Sequence, residues 1–270
     1  MTAPQTNAPP PGAPVVPGEL AGARALVTGG TKGLGAAIAR HLGAAGAQVV
    51  VAARRHPDGP VTGHFVPADL STADGPRELA RAVLEFLGGI DIVIDNAASQ
   101  TRVPDGVLAM SDADWLNDLG GTLMSAVRLD RELLPVMIEQ GSGALIHVGS
   151  NAARWPQPAA LAYAAAKAAL TAYSKGLANE VGPHGIRVNM VSPGVIETAG
   201  LATRLETLAQ ENGTDLATAR RTFSAQFGIP LGRVGQPDDV AELVTFLASP
   251  RARYITGTVH VIDGGLLPTL

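Results

Sequence analysis

The sequence predicts a single doubly wound α/β domain, three layers thick, with a parallel sheet covered by helices on both faces. Three observations predict it. Short β-branched runs alternate with long Ala/Leu-rich segments along nearly the whole chain, the order of parallel strands joined by crossover helices. The runs are apolar without strict alternation, as strands buried on both faces are. The 270 residues, 46% hydrophobic and 16% charged, suffice for one large core and carry neither an internal repeat nor a second linker.

Residues 1–17 include Pro4, Pro9, Pro10, Pro11, Pro14 and Pro17 and little to bury, so an extended or disordered Pro/Ala-rich tail is expected, with the domain spanning 18–270. The apolar runs place strands at 25–27, 49–52, 64–66, 92–95, 144–147, 187–191 and 258–262. Helices are expected at 35–45, 75–87, 112–140, 159–181 and 237–247. The 112–140 helix should bend near Gly120 and Gly121, and the Ala-rich 159–181 helix should stop at Gly182 and Pro183. Residues 200–228 read as helical but less regular. In such sheets ligands bind at the carboxyl ends of strands near the switch point, so strand ends are where function is sought.

Bulk properties exclude several classes. A net charge of −4 disfavours nucleic acid and acidic membranes as partners, because both select basic surfaces. The absence of cysteine removes disulfides, thiolate metal sites and cysteine nucleophiles. The N-terminus lacks the basic start and apolar run of a secretion signal, and no apolar stretch is long and charge-free enough to span a bilayer, so a cytoplasmic protein with no membrane partner is expected. The six histidines are scattered; His147 reads as a packed strand residue, and no metal site is apparent.

The first strand runs into Thr28, Gly29, Gly30, Thr31, Lys32, Gly33, Leu34 and Gly35, and then a helix begins. Glycines let the backbone turn tightly and approach a pyrophosphate, and the helix N-terminus offers free amides to the anion. Strand, turn and helix in that order point to a dinucleotide. A site selecting NAD places an acid at the end of the second strand for the ribose 2′-hydroxyl. Here stand Ala53, Arg54 and Arg55, with Lys32 inside the turn and only two other lysines in the chain, Lys167 and Lys175. Cations pair with a 2′-phosphate, so the expected cofactor is NADP(H).

Tyr163 and Lys167, four residues apart, share one face of the Ala-rich helix. A phenol, ordinarily near pKa ~10, becomes a usable acid/base when an ammonium and a nicotinium lie nearby. Ser150, at the end of the preceding strand, is placed to hydrogen-bond a carbonyl or alkoxide beside that tyrosine.

On these motifs the chain resembles the short-chain dehydrogenase/reductase family of single-domain, NADP(H)-preferring type, over nearly everything after the tail, with a Rossmann-like fold. Thr28, Gly29, Gly33 and Gly35 match its cofactor turn; Asp69 with Leu70 matches its adenine contact; Ser150, Tyr163 and Lys167 match its catalytic residues. Asn189, Ser192, Pro193 and Gly194 match the end of its sixth strand, with Ile196 and Thr198 toward the nicotinamide amide, and Ile255-Thr256-Gly257 and Asp263-Gly264-Gly265 match its C-terminus. The resemblance implies hydride transfer with proton transfer through Tyr163, a ribose-binding and tuning role for Lys167, and a substrate-polarising role for Ser150. It also implies a homotetramer built through two long central helices and the C-terminal region.

Two places depart from the family pattern. Where the family has Asn-Asn-Ala-Gly, this chain has Asp95, Asn96, Ala97 and Ala98. Asn96, Ala97 and Ala98 are still expected along the cofactor, but Ala98 adds a methyl there and an ionised Asp95 cannot donate a hydrogen bond. Where the family has a catalytic asparagine, counting from Trp115 and back from Leu134-Pro135-Val136-Met137 gives Thr122, which keeps only the main-chain carbonyl of that residue's role. A weakened rather than a lost proton relay is expected.

Trp155 is expected to wall the substrate pocket, and 199–228, with Leu201, Leu205, Phe223 and Phe227, to form a lid over an apolar carbonyl or alcohol, although core packing accounts for those side chains nearly as well. Arg128 and Arg131 read as a solvated helix face before they read as a dock for an acidic carrier. The leading function is reduction of a ketone or oxidation of a secondary alcohol. A dehydratase, isomerase or cyclase on the same fold is the alternative, motivated by Asp95, Ala98 and Thr122. A binding or regulatory protein with a dead site comes third, because Ser150, Tyr163 and Lys167 are intact.

Overall fold

The computed structural model describes residues 18–268, so the tail expectation for 1–17 lies outside the described residues. Seven strands form one sheet: β1 (Arg24–Thr28), β2 (Gln48–Ala53), β3 (His64–Pro67), β4 (Ile92–Asp95), β5 (Gly143–Val148), β6 (Ile186–Pro193) and β7 (Val259–Ile262). Their order is β3-β2-β1-β4-β5-β6-β7, and every pair is parallel. The chain winds outward from β1 to β3 and then returns to β4 on the other side of β1. The crevice between the carboxyl ends of β1 and β4 is therefore the switch point.

The helices are α1 (Gly33–Ala44), α2 (Gly75–Leu87), α3 (Asp112–Asp118), α4 (Ser125–Gln140), α5 (Leu161–Val181), α6 (Ala199–Glu211), α7 (Leu216–Phe227) and α8 (Pro237–Ala248). Alternate strand residues serve opposite faces, since successive side chains point to opposite sides of a sheet. Val27, Val51, Ile94 and Ile146 meet Ile38 and Leu42 of α1 and Val244 and Leu247 of α8. Their neighbours Leu26, Val50, Val93 and Leu145 meet Leu79 and Val83 of α2, Leu129 and Leu133 of α4, and Leu177 of α5. Each such side chain, fully buried, contributes about 1.5–3 kcal/mol.

Helix ends follow local chemistry. Ser111 caps α3 in a reciprocal capping box with Asp114. Gly141, at φ 69°, ends α4 in the left-handed conformation. The expected 112–140 helix is three pieces. A π-helical segment, Leu119–Met124, separates α3 from α4 where Gly120 and Gly121 stand, and this is the predicted bend. The 200–228 stretch resolves into α6 and α7, parted around Gly213 at φ 61° and restarted by Asp215, whose carboxylate accepts from Thr218 N at 2.6 Å. Among the described residues no helix is long and apolar enough to cross a membrane.

Candidate active site

At the switch point the turn after β1 is held open by its glycines and stitched shut from behind. Gly29 has φ +63°, and a Cβ on it would lie 2.9 Å from the Asn96 amide nitrogen. A Cβ on Gly35 would lie 2.6 Å from that same nitrogen. Asn96 Nδ2 donates to the Thr28 carbonyl at 2.9 Å and the Gly29 carbonyl at 3.3 Å. The Thr28 hydroxyl accepts from the Asn96 and Ala97 amides, both at 3.0 Å, and donates to the Ile94 carbonyl at 3.2 Å. Thr28 and Asn96 thus lock the end of β4 onto the end of β1. The anchoring role of Thr28 was not legible in the sequence, where it is one more residue of a loop. Helix α1 starts just beyond, after Lys32, with no acid in its first turn, so its orphan amides present an unopposed positive end.

The residues expected along a cofactor sort by environment. Lys32, Arg54 and Arg55 are exposed, and the end of β2 carries no carboxylate. Asp69 is also exposed; its carboxylate accepts from the Ser71 amide and hydroxyl, which hold it below the usual carboxylate range. Leu70 turns its side chain into the core, so only its main chain is left for a ligand. Ala98 is exposed beyond the β4 end, and Pro193 closes β6. Gly194 passes so near Asp263 that a Cβ would lie 2.6 Å from the Asp263 Cβ. Ile196 bridges to Gly235, and exposed Thr198 precedes α6. Buried Asn189 clamps the lead-in to β7, donating to the Ile255 carbonyl at 2.8 Å and accepting from the Thr258 hydroxyl at 2.9 Å. Asn151, which sequence reasoning passed over, donates to Asp263 at 2.7 Å and ties the Ser150 loop to the C-terminal turn.

Tyr163 and Lys167 occupy the first two turns of α5, one helical turn apart on one face, with the Lys167 ammonium 5.7 Å from the centre of the phenol ring. Lys167 is 2% exposed and donates to the Val148 carbonyl at 2.6 Å. Burial pulls its pKa down to about 8, opposed by the charge of Asp95. Burial pushes the Tyr163 phenol up; the Ser150 hydroxyl opposes this and buried Asp118 adds to it. The phenol therefore keeps its proton at neutral pH. Ser150 follows β5 and accepts from the Ala152 amide at 3.1 Å, which fixes the start of the next turn.

Thr122 is 1% exposed inside the π-helical segment. Its hydroxyl donates to the Ser99 carbonyl at 3.0 Å and accepts from the Ser99 amide at 3.2 Å, so it holds the β4 exit loop. That occupation leaves only its carbonyl for a relay.

Several expectations change. Asp95 is not an isolated ionised carboxylate: it lies 3.8 Å from His147, and burial with neighbouring Asp130 raises its pKa well above the usual carboxylate range. His147 is packed as expected, but against acids. Asp95, Asp130 and His147 bring potential ligand atoms within 4.8 Å of one another, a cluster that their scattered sequence positions hide. Leu205 and Phe223 of the expected lid form a small core of their own with Ile229, Val234 and Leu266. Packing, rather than substrate, accounts for them. Phe227 stays exposed beside Phe223, ring centres 4.8 Å apart. Glu197 anchors that unit, receiving Arg220 on both carboxylate oxygens and Gln236 at 3.2 Å. Trp155 is 41% exposed on the loop after Ser150. Arg128 is tied down, donating to the Ser71 and Thr72 carbonyls at 3.2 and 3.1 Å.

One half of the strand ends thus carries an open glycine turn at a helix N-terminus, and the other a serine, a tyrosine and a buried lysine, an arrangement of the kind found in single-domain nucleotide-dependent dehydrogenases and reductases. The chain belongs to the short-chain dehydrogenase/reductase family. Residues 29–267 match the family model described as enoyl-(acyl carrier protein) reductase. A 3-oxoacyl-[acyl-carrier-protein] reductase of Vibrio cholerae is 33% identical over 254 residues, 92% of this chain and 98% of that one. Nodulation protein G of a Rhizobium species is 36% identical over 257 residues, with the same coverage of each chain. The crystal structure of L-sorbose reductase from Gluconobacter frateurii, complexed with NADPH and L-sorbose, superposes with a TM-score of 0.85 at 32% identity, covering 93% of this chain and 98% of that chain.

Proposed function

We propose that the protein is an NADP(H)-dependent reductase of a ketone, able to run in reverse on a secondary alcohol. The observation that carries the reading is half-buried Tyr163 paired with buried Lys167 on α5, one strand end away from a glycine cradle that a single Cβ would fill. The cradle, Gly29 through Gly35 with Thr31 and Leu34, fits a pyrophosphate. Lys32, Arg54 and Arg55 fit a 2′-phosphate. Asp69, the Leu70 main chain, Asn96, Ala97, Ala98, Pro193, Gly194, Ile196 and Thr198 line the remaining strand ends. The similar L-sorbose reductase, whose crystal structure holds NADPH, supports this choice of cofactor.

When bound, the reduced nicotinamide supplies the hydride. Ser150 orients the substrate oxygen, and Tyr163, kept protonated by burial, gives that oxygen its proton. Lys167 stabilises the phenolate left behind and offers the nicotinamide ribose a donor. The Thr122 carbonyl is the inner end of the path by which the proton is replaced. Trp155 supplies an apolar wall, which favours an apolar carbonyl substrate. Membership of the family supports a cytoplasmic homotetramer, tested by light scattering for four times 27.5 kDa.

Absorbance of the reduced nicotinamide, followed across a panel of aliphatic, aryl and β-keto thioester ketones, tests the reading. Tyr163→Phe should lose at least ~10²-fold in turnover while NADPH binding by fluorescence persists. No oxidation of NADPH with any ketone would refute it. Product formation without any change in that absorbance would favour the isomerase or dehydratase reading, for which Asp95 and Thr122 speak.

A further inference from the structure

We propose that Asp95 and Asp130 share a proton behind the active site and, with His147 and Tyr173, form a buried cluster whose charge state governs Lys167. The residues would be positioning residues for the reaction, acting through the lysine. The proposal rests on the reductase reading for its catalytic meaning only; its geometry and its test do not.

The cluster is assembled by register. Asp95 closes β4 and pairs with His147 on β5, so both side chains stand on the same face of the sheet. Asp130 reaches them from α4 and Tyr173 from α5. Asp130 Oδ2 accepts from the Tyr173 hydroxyl at 2.9 Å and from His147 Nε2 at 3.1 Å, and His147 Nε2 stands 3.8 Å from Asp95 Oδ2. Asp130 and His147 are fully buried and Asp95 is 5% exposed. Among the described residues Asp95 Oδ2, Asp130 Oδ1 and His147 Nδ1 have no hydrogen-bond partner.

Proton accounting follows from these contacts. Asp130 Oδ2 accepts from both partners, so the His147 ring donates from Nε2. Two adjacent buried carboxyls do not both ionise, so a proton is held between Asp95 and Asp130, and burial and Asp130 both raise Asp95. Burial, with Asp130 beside it, pushes the Tyr173 phenol up, keeping it a donor. The cluster then carries about one negative charge in a medium where charge acts strongly. Lys167 reaches β5 next to the cluster, donating to the carbonyl of Val148, the residue after His147. The titratable groups of the cluster and its surroundings are Asp95 from β4, His147 from β5, Asp130 from α4 and Tyr173 from α5, with Glu180 of α5 bearing on Tyr173 and Asp118, at the end of α3, bearing on Tyr163 beside the lysine. Of these, Asp95 is the one whose charge bears on Lys167. Whichever carboxyl keeps the shared proton therefore sets how firmly the lysine stays charged.

The chain has three lysines, Lys32, Lys167 and Lys175, so its ammonium groups can be watched individually by NMR of the full-length protein carrying carbon-13 lysine. Lys32→Arg and Lys175→Arg assign the signals. The Lys167 signal should titrate at about 8. Asp95→Asn removes the share of the cluster's charge that Asp95 carries and confines it to Asp130, and should lower the Lys167 midpoint by about one pH unit or more. Asp130→Asn removes the rival for the shared proton, frees Asp95 to ionise, and should raise it. Opposite movements support the proposal, and a folding role alone would not produce them. Equal midpoints in all three proteins, or movement in one direction, would overturn it. So would a wild-type Lys167 signal that titrates at the ordinary lysine value of about 10.4, a measurement that needs none of the acid variants. Stoichiometric metal in the purified protein would also overturn it, because a cation would then hold the carboxyls together. Shifted midpoints in a protein that reduces no ketone would sink the reductase reading and leave the cluster standing.

Discussion

The hydroxyl of Thr28 is the smallest group on which the cofactor cradle depends, and Thr28→Val removes it with almost no change in shape. Three interactions go at once. The Ala97 amide loses its bond at 3.0 Å, the Ile94 carbonyl loses the hydroxyl donor at 3.2 Å, and the Asn96 amide keeps only the Ile94 carbonyl at 3.1 Å. An orphaned amide costs ~1–3 kcal/mol, and a lost ordinary hydrogen bond about 1. Ala97 is half-buried, so the lower end applies, and the sum is about 2 kcal/mol. For a domain of this size that lowers Tm by roughly 4–8 °C. Beyond the Val27–Ile94 backbone pairing, the end of β4 would then be held against β1 by Asn96 Nδ2 alone. NADPH affinity should fall about tenfold, equivalent to ~1.4 kcal/mol. Urea unfolding followed by tryptophan fluorescence, and NADPH titration of the same samples, measure both effects. Thr28→Ser keeps the oxygen and should lose less than half as much. Stability within ~0.5 kcal/mol of wild type together with unchanged NADPH affinity would refute the stitching role, as would equal losses in the serine and valine variants.

Other expectations follow from the same geometry. Arg54→Asp puts an acid at the end of β2, so NADPH should bind about 10²-fold more weakly while NADH binding holds or improves, as read by paired titrations. Lys167→Met should abolish reduction yet stabilise the fold. The fall in the Lys167 pKa from 10.5 to about 8 means the unfolded chain binds more protons between those values, so wild-type stability rises as pH climbs through that window and is penalised below it. The penalty is ~3 kcal/mol. Loss of the bond to Val148 returns ~1 kcal/mol, leaving a gain of about 2 at pH 7 that shrinks toward pH 10 in unfolding experiments. Glu197→Gln weakens the bidentate hold on Arg220 and should loosen α6 and α7, raising KM with kcat less affected and increasing hydrogen exchange in 199–227.

What the sequence determined by itself was local. The glycine turn, the apolar runs and the four-residue spacing of Tyr163 and Lys167 each depend on neighbours a few positions apart, and backbone sterics and helical periodicity read them directly. The bend at Gly120 and Gly121 was legible for the same reason; its π-helical form was not. The tertiary structure alone decided what Asp95, Asp130 and His147 are to one another. They lie on β4, α4 and β5, and strand register and helix packing bring them together, so no short-range pattern marks them. It also turned Leu205 and Phe223 from expected lid side chains into a satellite core, and tied Arg128 to the loop after β3. Hydrophobicity says that a side chain will be buried; only the packed chain says against what. The same difference separates the cradle, written in residues 28–35, from the anchors Thr28 and Asn96, whose partners lie 68 positions apart and meet only because β1 and β4 are neighbours across the switch point.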